Sequence, residues 1–234
     1  MTMQTPRSAE RAPAVRPGQV AGRLLVTVVV LLGVVLGVGW LLTRAREGDA
    51  FEQRDATLVQ WFADHRVPVL DRISGPAADL GQTWVVIGVG VVAAAVAWWV
   101  FRSWRPVVLL AVLLAGELAI FLTAVSLIDR PRPAVSHLDG QLPPTSSFPS
   151  GHTAAALCLY GGIAALVLAA SRHPWRRVAP VLAVLLVLVV ALARLYRGAH
   201  YPTDVLTSIL FAGIWLLVTL RVLPLRNSRS GHLR

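Results

Sequence analysis

The chain contains no lysine, one cysteine and only 12 acidic residues among 234. Each scarcity excludes something. The single cysteine, Cys158, rules out an internal disulfide and a cysteine-rich metal site. It lies in an apolar run and reads as an inert buried thiol. All 22 basic residues are arginine, and the formal net charge is +10. Such a charge suits a nucleic-acid binder, but its placement does not. The arginines cluster between and beyond apolar runs, as topology signals and lipid headgroup contacts do. The apolar runs also lack the period-two alternation of membrane β-barrel strands.

What the chain has in abundance is apolar surface. Hydrophobic residues make up 56% of it, and the mean hydropathy is +0.64, which places it among membrane proteins. Six apolar runs cover 24–42, 84–101, 106–128, 153–170, 178–193 and 205–220. In lipid they are helices, because only a helix satisfies its backbone within one segment. The last two are short and extend into their flanks. TRAREG after Leu42 is not a small-residue cleavage site, so the first run reads as an uncleaved span. The expected fold is an all-α membrane protein, a six-transmembrane-helix bundle. Residues 1–22, rich in Pro, Ala, Gly and Arg, read as a disordered cytoplasmic tail. Residues 23–223 form the six-span domain and 224–234 a second cytoplasmic tail.

With both termini cytoplasmic, thirteen arginines fall inside and nine outside, in accord with the positive-inside rule. Four of the nine lie in two short loops beside histidines, so they are candidates for chemistry. In the outer segment 43–83, DATLVQWFADHR (55–66) places Leu58, Val59, Trp61 and Phe62 near one helical face. That predicts an amphipathic helix between spans one and two. It either lies on the membrane surface or packs on the end of the bundle.

Polar chemistry gathers at the outer ends of spans three to six. Loop 129–152 carries DRPRP and PSGH, and loop 194–204 reads RLYRGAHYPTD. In PSGH, Ser150 can cap span four and Gly151 admits close approach. The free N–H groups of a helix start bind anions, with His152 in reach as donor or acid. The plainer reading is a cap with an interfacial histidine. His200 and Asp204 stand four apart, with Pro202 suited to a first helical turn. A carboxylate there can fix the imidazole tautomer and free the other nitrogen as nucleophile or base. The plainer reading is a capping Asp beside an unrelated His. Arg130, Arg132, Arg194 and Arg197 offer charged forks for phosphate oxygens, or merely snorkel to headgroups. Zinc on two His and one Asp is disfavoured, because the surrounding arginines repel a cation.

Taken together, Arg132-Pro133, then Pro149-Ser150-Gly151-His152, then Arg194, His200 and Asp204 form a three-part signature. By it the chain, over about residues 20–222, resembles the type-2 phosphatidic acid phosphatase family. That family is the membrane branch of a superfamily that also holds the vanadium haloperoxidases. Two positions depart from the pattern: Val125 stands where the family has lysine, and Ala193 where it has serine before Arg194. Arg130 or Arg197 is the candidate replacement for the missing charge.

The resemblance implies an integral-membrane lipid phosphate or diphosphate phosphatase without metal or cofactor. In it His200 attacks phosphorus to form a phosphohistidine, and Asp204 orients His200. Arg132, Arg194, Ser150 and the Gly151 N–H hold the phosphoryl oxygens, and His152 protonates the leaving oxygen. A site at the outer membrane face implies a membrane lipid as partner and the cell membrane as location. Polyprenyl diphosphate, phosphatidic acid and phosphatidylglycerol phosphate are candidate substrates. The alternatives are a lipid-phosphate transferase, a vanadate-dependent oxidase, and a non-catalytic lipid-binding or transport protein. Glu117, midway along span three, reads as a cross-helix hydrogen bond or a protonated carboxyl rather than a catalyst.

Overall fold

A computed structural model describes residues 17–44, 50–140, 142 and 145–225. Among them are eight α-helices and no strand. The spans are α1 (Pro17–Arg44), α4 (Thr83–Phe101), α5 (Arg105–Leu127), α6 (Gly151–Ala170), α7 (Val178–Tyr196, entered through a 3-10 turn Pro174–Arg177) and α8 (Pro202–Val222). All six are long and apolar enough to cross a membrane. Two further helices, α2 (Ala50–Asp64) and α3 (Pro68–Asp79), lie between the first two spans.

The first span starts earlier than its apolar run. Residues 17–22, expected as tail, are the opening turns of α1. Pro17 is suited to the first helical turn, and no further proline interrupts the helix. Residues 1–16 and 226–234 lie outside the described residues. At 28 residues α1 is about 42 Å long, more than the roughly 30 Å hydrocarbon core. It presents the narrow stripe Leu31, Val35 and Gly39 to the bundle.

Tryptophans mark the two rims. Trp40, Trp61 and Trp84 are exposed at the end of the bundle that carries the two histidines, and Trp98, Trp99, Trp104 and Trp175 at the other. Such belts sit at headgroup level. The eighth tryptophan, Trp215, is buried and donates from Nε1 to the Leu113 carbonyl at 2.9 Å.

Lipid tails are as apolar as leucine, so burial alone does not hold these spans together, and close packing of small residues does. A Cβ on Gly116 would stand 2.1 Å from the Trp215 ring, and one on Gly161 2.5 Å from Leu216. At the center runs α6, which touches α4, α5, α7 and α8. Its N-terminus begins at PSGH, so the fold delivers His152 to the middle of one rim. Glu117 is 3% exposed and has no hydrogen bond or ion pair among the described residues, so the expected cross-helix bond is not formed.

The segment between the first two spans holds two helices where one was expected, and the first of them takes the bundle-end alternative. Along α2, Asp55 and Val59 are buried and Phe62 half-buried, while Leu58 and Trp61 point outward. The helix therefore packs on the bundle end through one face, against α7 and α8, and leaves an apolar edge outside. Helix α3 was not anticipated, since Gly75 and Pro76 disguise it. It lies along α7, and the corner before it is tied by Tyr196. That hydroxyl accepts from Val67 N–H at 3.0 Å and donates to Asp71 Oδ1 at 2.7 Å.

Candidate active site

The site is built where three segments meet: the loop leading into α6, the turn between α7 and α8, and the first turn of α8. The Ser150 N–H donates to the Asp204 carbonyl at 3.4 Å, joining the starts of α6 and α8. Gly198, at φ +76°, turns the chain back after α7 in a conformation that L side chains rarely adopt.

His200 is 4% exposed. Its Nδ1 lies 2.6 Å from the Ser147 carbonyl and 3.8 Å from Asp204 Oδ2. A carbonyl only accepts, so Nδ1 carries the proton and Nε2 keeps its lone pair. Nε2 has no hydrogen-bond partner among the described residues. Burial pushes the imidazole below its ordinary value of 6.5, Arg194 adds to that, and the nearby Asp204 opposes it. The ring is therefore neutral at neutral pH. The expectation that Asp204 fixes the tautomer is revised. The Ser147 backbone does so, and Asp204 acts on the ring through its charge.

Asp204 is fully buried, with both oxygens committed. Oδ2 accepts the Tyr201 N–H at 2.8 Å, and Oδ1 accepts Arg130 Nη1. The plain capping role and the role beside His200 coexist in one carboxylate. Arg130 is itself clamped, with Nη2 on Asp55 Oδ2 at 2.8 Å and Nη1 also on Thr203 Oγ1 at 2.8 Å. Its guanidinium lies 4.3 Å from the center of the Tyr201 ring. Arg197 is held likewise by Asp139, Ser74 Oγ and the Leu138 carbonyl. Both arginines were expected to hold phosphate or replace the missing lysine. Their guanidinium groups are instead spent on carboxylates of the scaffold, because each completes an ion pair that burial would otherwise leave uncompensated.

Arg132 and Arg194 are different. Arg132 Nη1 donates to the Ala199 carbonyl at 2.8 Å, and Arg194 Nη1 to Asp139 Oδ2 at 3.0 Å. Yet the Nε of each is buried without a hydrogen-bond partner. Orphaned buried donors are rare and costly. Burial also pulls the Arg132 cation below its ordinary value, partly offset by Asp204 and Asp139. His152 lies within electrostatic reach of Arg194, His200 and Arg132, and its ring has no hydrogen-bond partner among the described residues.

Ser150 occupies the N-cap position of α6 without capping it; its hydroxyl pairs with Thr153 Oγ1 at 3.0 Å. Nothing from that side chain covers the first-turn N–H groups. Gly151 is required by packing, since a Cβ there would stand 2.8 Å from the Phe121 ring. Val125, in the last turn of α5, is half-buried.

Three participants escaped the sequence reading. The Ser147 carbonyl carries no side-chain signal at all. Asp139 sits in a loop without periodicity. Asp55 left a trace: an acid at i with Val59 at i+4 and Phe62 at i+7 puts a charge on the packed face of α2.

Among family models, the PAP2 superfamily matches residues 106–228, more than half of the chain. No curated protein matches. Two solved structures share the fold. The first transmembrane PAP2-type phosphatidylglycerolphosphate phosphatase from Bacillus subtilis aligns with 85% of this chain and 92% of its own, at 21% identity and a TM-score of 0.67. LpxE from Aquifex aeolicus aligns with 71% of this chain and 94% of its own, at 24% identity and a TM-score of 0.57.

Proposed function

The chain belongs to the PAP2 superfamily, and from that membership we propose that it hydrolyses a lipid phosphate at the outer face of the cell membrane, with both termini cytoplasmic. The observation that carries the reading is the pair of buried, partnerless Nε donors on Arg132 and Arg194, grouped with a neutral His200 whose Nε2 is unengaged. An anion with several acceptor oxygens completes such a site, and a phosphoryl group does so with the right geometry for bidentate forks.

In the proposed reaction the phosphoryl oxygens rest on Arg132, Arg194 and the first-turn N–H groups of α6. His200 Nε2 attacks phosphorus as the bond to the lipid oxygen breaks, and His152, charged once the bound phosphate offsets Arg132 and Arg194, gives that oxygen its proton. The lipid alcohol leaves, and a phosphohistidine remains with Nδ1–H still held by the Ser147 carbonyl. Neutral His152 then takes a proton from water as the water oxygen attacks phosphorus and the P–N bond breaks. Phosphate departs with both histidines in their starting states. Phosphoryl transfer depends above all on positioning and charge neutralisation. Fixed arginines and backbone donors supply both without reorganising.

The test is phosphate release from lipid phosphates by purified protein in detergent, with and without a chelator. His200→Ala lowers turnover by at least about four orders of magnitude, as loss of a nucleophile does. Robust activity in that variant, or strict dependence on a divalent ion, overturns the mechanism.

A further inference from the structure

Beside the two arginines lies an open, polar hollow of about 600 Å³, lined by Asp129, Arg130, Arg132, His137, Asp139 and Thr145, among others. Arg132 belongs both to this hollow and to the anion site. Arg130 is neutralised by Asp55 and Asp204. Asp139 divides its two oxygens between Arg197 and Arg194, the latter through Nη1, so that Nε of Arg194 is left over. Asp129 is exposed and has no ion-pair partner among the described residues. Of the two arginines among the described lining residues, Arg132 is therefore the one in no ion pair. Nor does a lysine stand at 125 to add a charge.

One phosphoryl group finds two orphaned guanidinium donors. A second phosphate, attached to the first and reaching into the hollow, meets the carboxylates of Asp129 and Asp139 and, among the described residues, no arginine beyond the paired Arg130 and the Arg132 that already holds the first phosphate. We propose, on the basis of the phosphatase reading, that the site selects lipid phosphomonoesters over lipid diphosphates, and that Asp139 is the residue that sets this preference. Its carboxylate takes Nη1 of Arg194 and Nε of Arg197, donors that a second phosphate would otherwise use. With those arginine donors already taken, a second phosphate lies beside the carboxylates of Asp139 and the exposed Asp129 with no cation of its own, while a single phosphate with a neutral substituent avoids the encounter.

The experiment uses farnesyl monophosphate and farnesyl diphosphate, which share one tail, as substrates of the detergent-purified full chain. Inorganic phosphate and pyrophosphate serve as competing ligands, with binding also read by calorimetry. In the wild type kcat/KM favours the monophosphate by at least about tenfold, and phosphate binds more tightly than pyrophosphate. Asp139→Asn moves both ratios toward the diphosphate by about tenfold, and Asp129→Asn, at an exposed position, moves them less. Equal or better use of the diphosphate together with tighter pyrophosphate binding in the wild type overturns the proposal. So do ratios that stay unchanged in both variants. Should Asp139→Asn be inactive because Arg194 has lost its support, the two binding constants still report the preference. If no farnesyl substrate is turned over by the wild type while phosphate outbinds pyrophosphate, the hydrolase reading fails and the charge selection stands.

Discussion

His200 shows how much a single backbone oxygen decides. The Ser147 carbonyl holds Nδ1–H at 2.6 Å, so the nitrogen left with a lone pair is Nε2. Burial lowers the imidazole from 6.5, and protonation is what removes that lone pair. The nucleophile's acid limb in a kcat/KM profile therefore lies below pH 6.5, and on the acid side activity is lost as pH falls through that lower value. Asp204 opposes the lowering, so Asp204→Asn moves the limb to still lower pH, on top of any loss of rate. A limb at or above 6.5 would contradict the burial argument. Arg130 makes the complementary point about stability. Arg130→Ala leaves Asp55 and Asp204 buried without a cation, which costs about 3–5 kcal/mol. Thermal unfolding in detergent measures it, and an unchanged midpoint would show that the pair is not needed.

Helix α2 couples a segment outside the spans to the first turn of α8. Asp55 accepts from Arg130 Nη2, from the Thr203 hydroxyl and, at 3.2 Å, from the Thr203 N–H. It is 4% exposed and, among the described residues, has no hydrogen bond or ion pair with either histidine. Asp55→Ala strips these donors of their acceptor and costs about 1–3 kcal/mol. It loosens the start of α8, where Asp204 sits, so kcat is expected to fall while KM changes little. A rise in KM alone would point to lipid entry past α2 instead. Between spans the equivalent pressure point is Gly116. The Trp215 ring that fills its missing side chain is anchored to Leu113, so it cannot swing aside cheaply. Gly116→Ala forces α5 and α8 apart at a cost of about 1–3 kcal/mol, visible as a lowered unfolding temperature.

For the whole molecule, the proposed orientation follows from arginine placement and from a site at one rim. The sole cysteine is buried, so it stays silent toward a membrane-impermeant maleimide. Gly140→Cys, in the exposed loop beside the hollow, is then labelled on intact cells. Arg172→Cys, exposed at the opposite end, is labelled only after permeabilisation. The reverse pattern inverts the topology and moves the proposed site to the cytoplasmic face.

The sequence alone determined the six spans, because lipid leaves an apolar run no choice but helix, and the three short motifs, because their order and spacing are written along the chain. It also held His152, His200, Asp204, Arg132 and Arg194 as a candidate set. Only the tertiary structure decided how the arginines divide. Arg130 and Arg197 look no different from Arg132 and Arg194 in a string of letters. What separates them is whether a carboxylate from a distant segment, Asp55 at 75 residues' remove or Asp139 at 58, folds back to take up their donors. Such pairings are set by packing, which has no local code. The same holds for the Ser147 carbonyl, since every residue has one and only the fold chooses which carbonyl meets the ring.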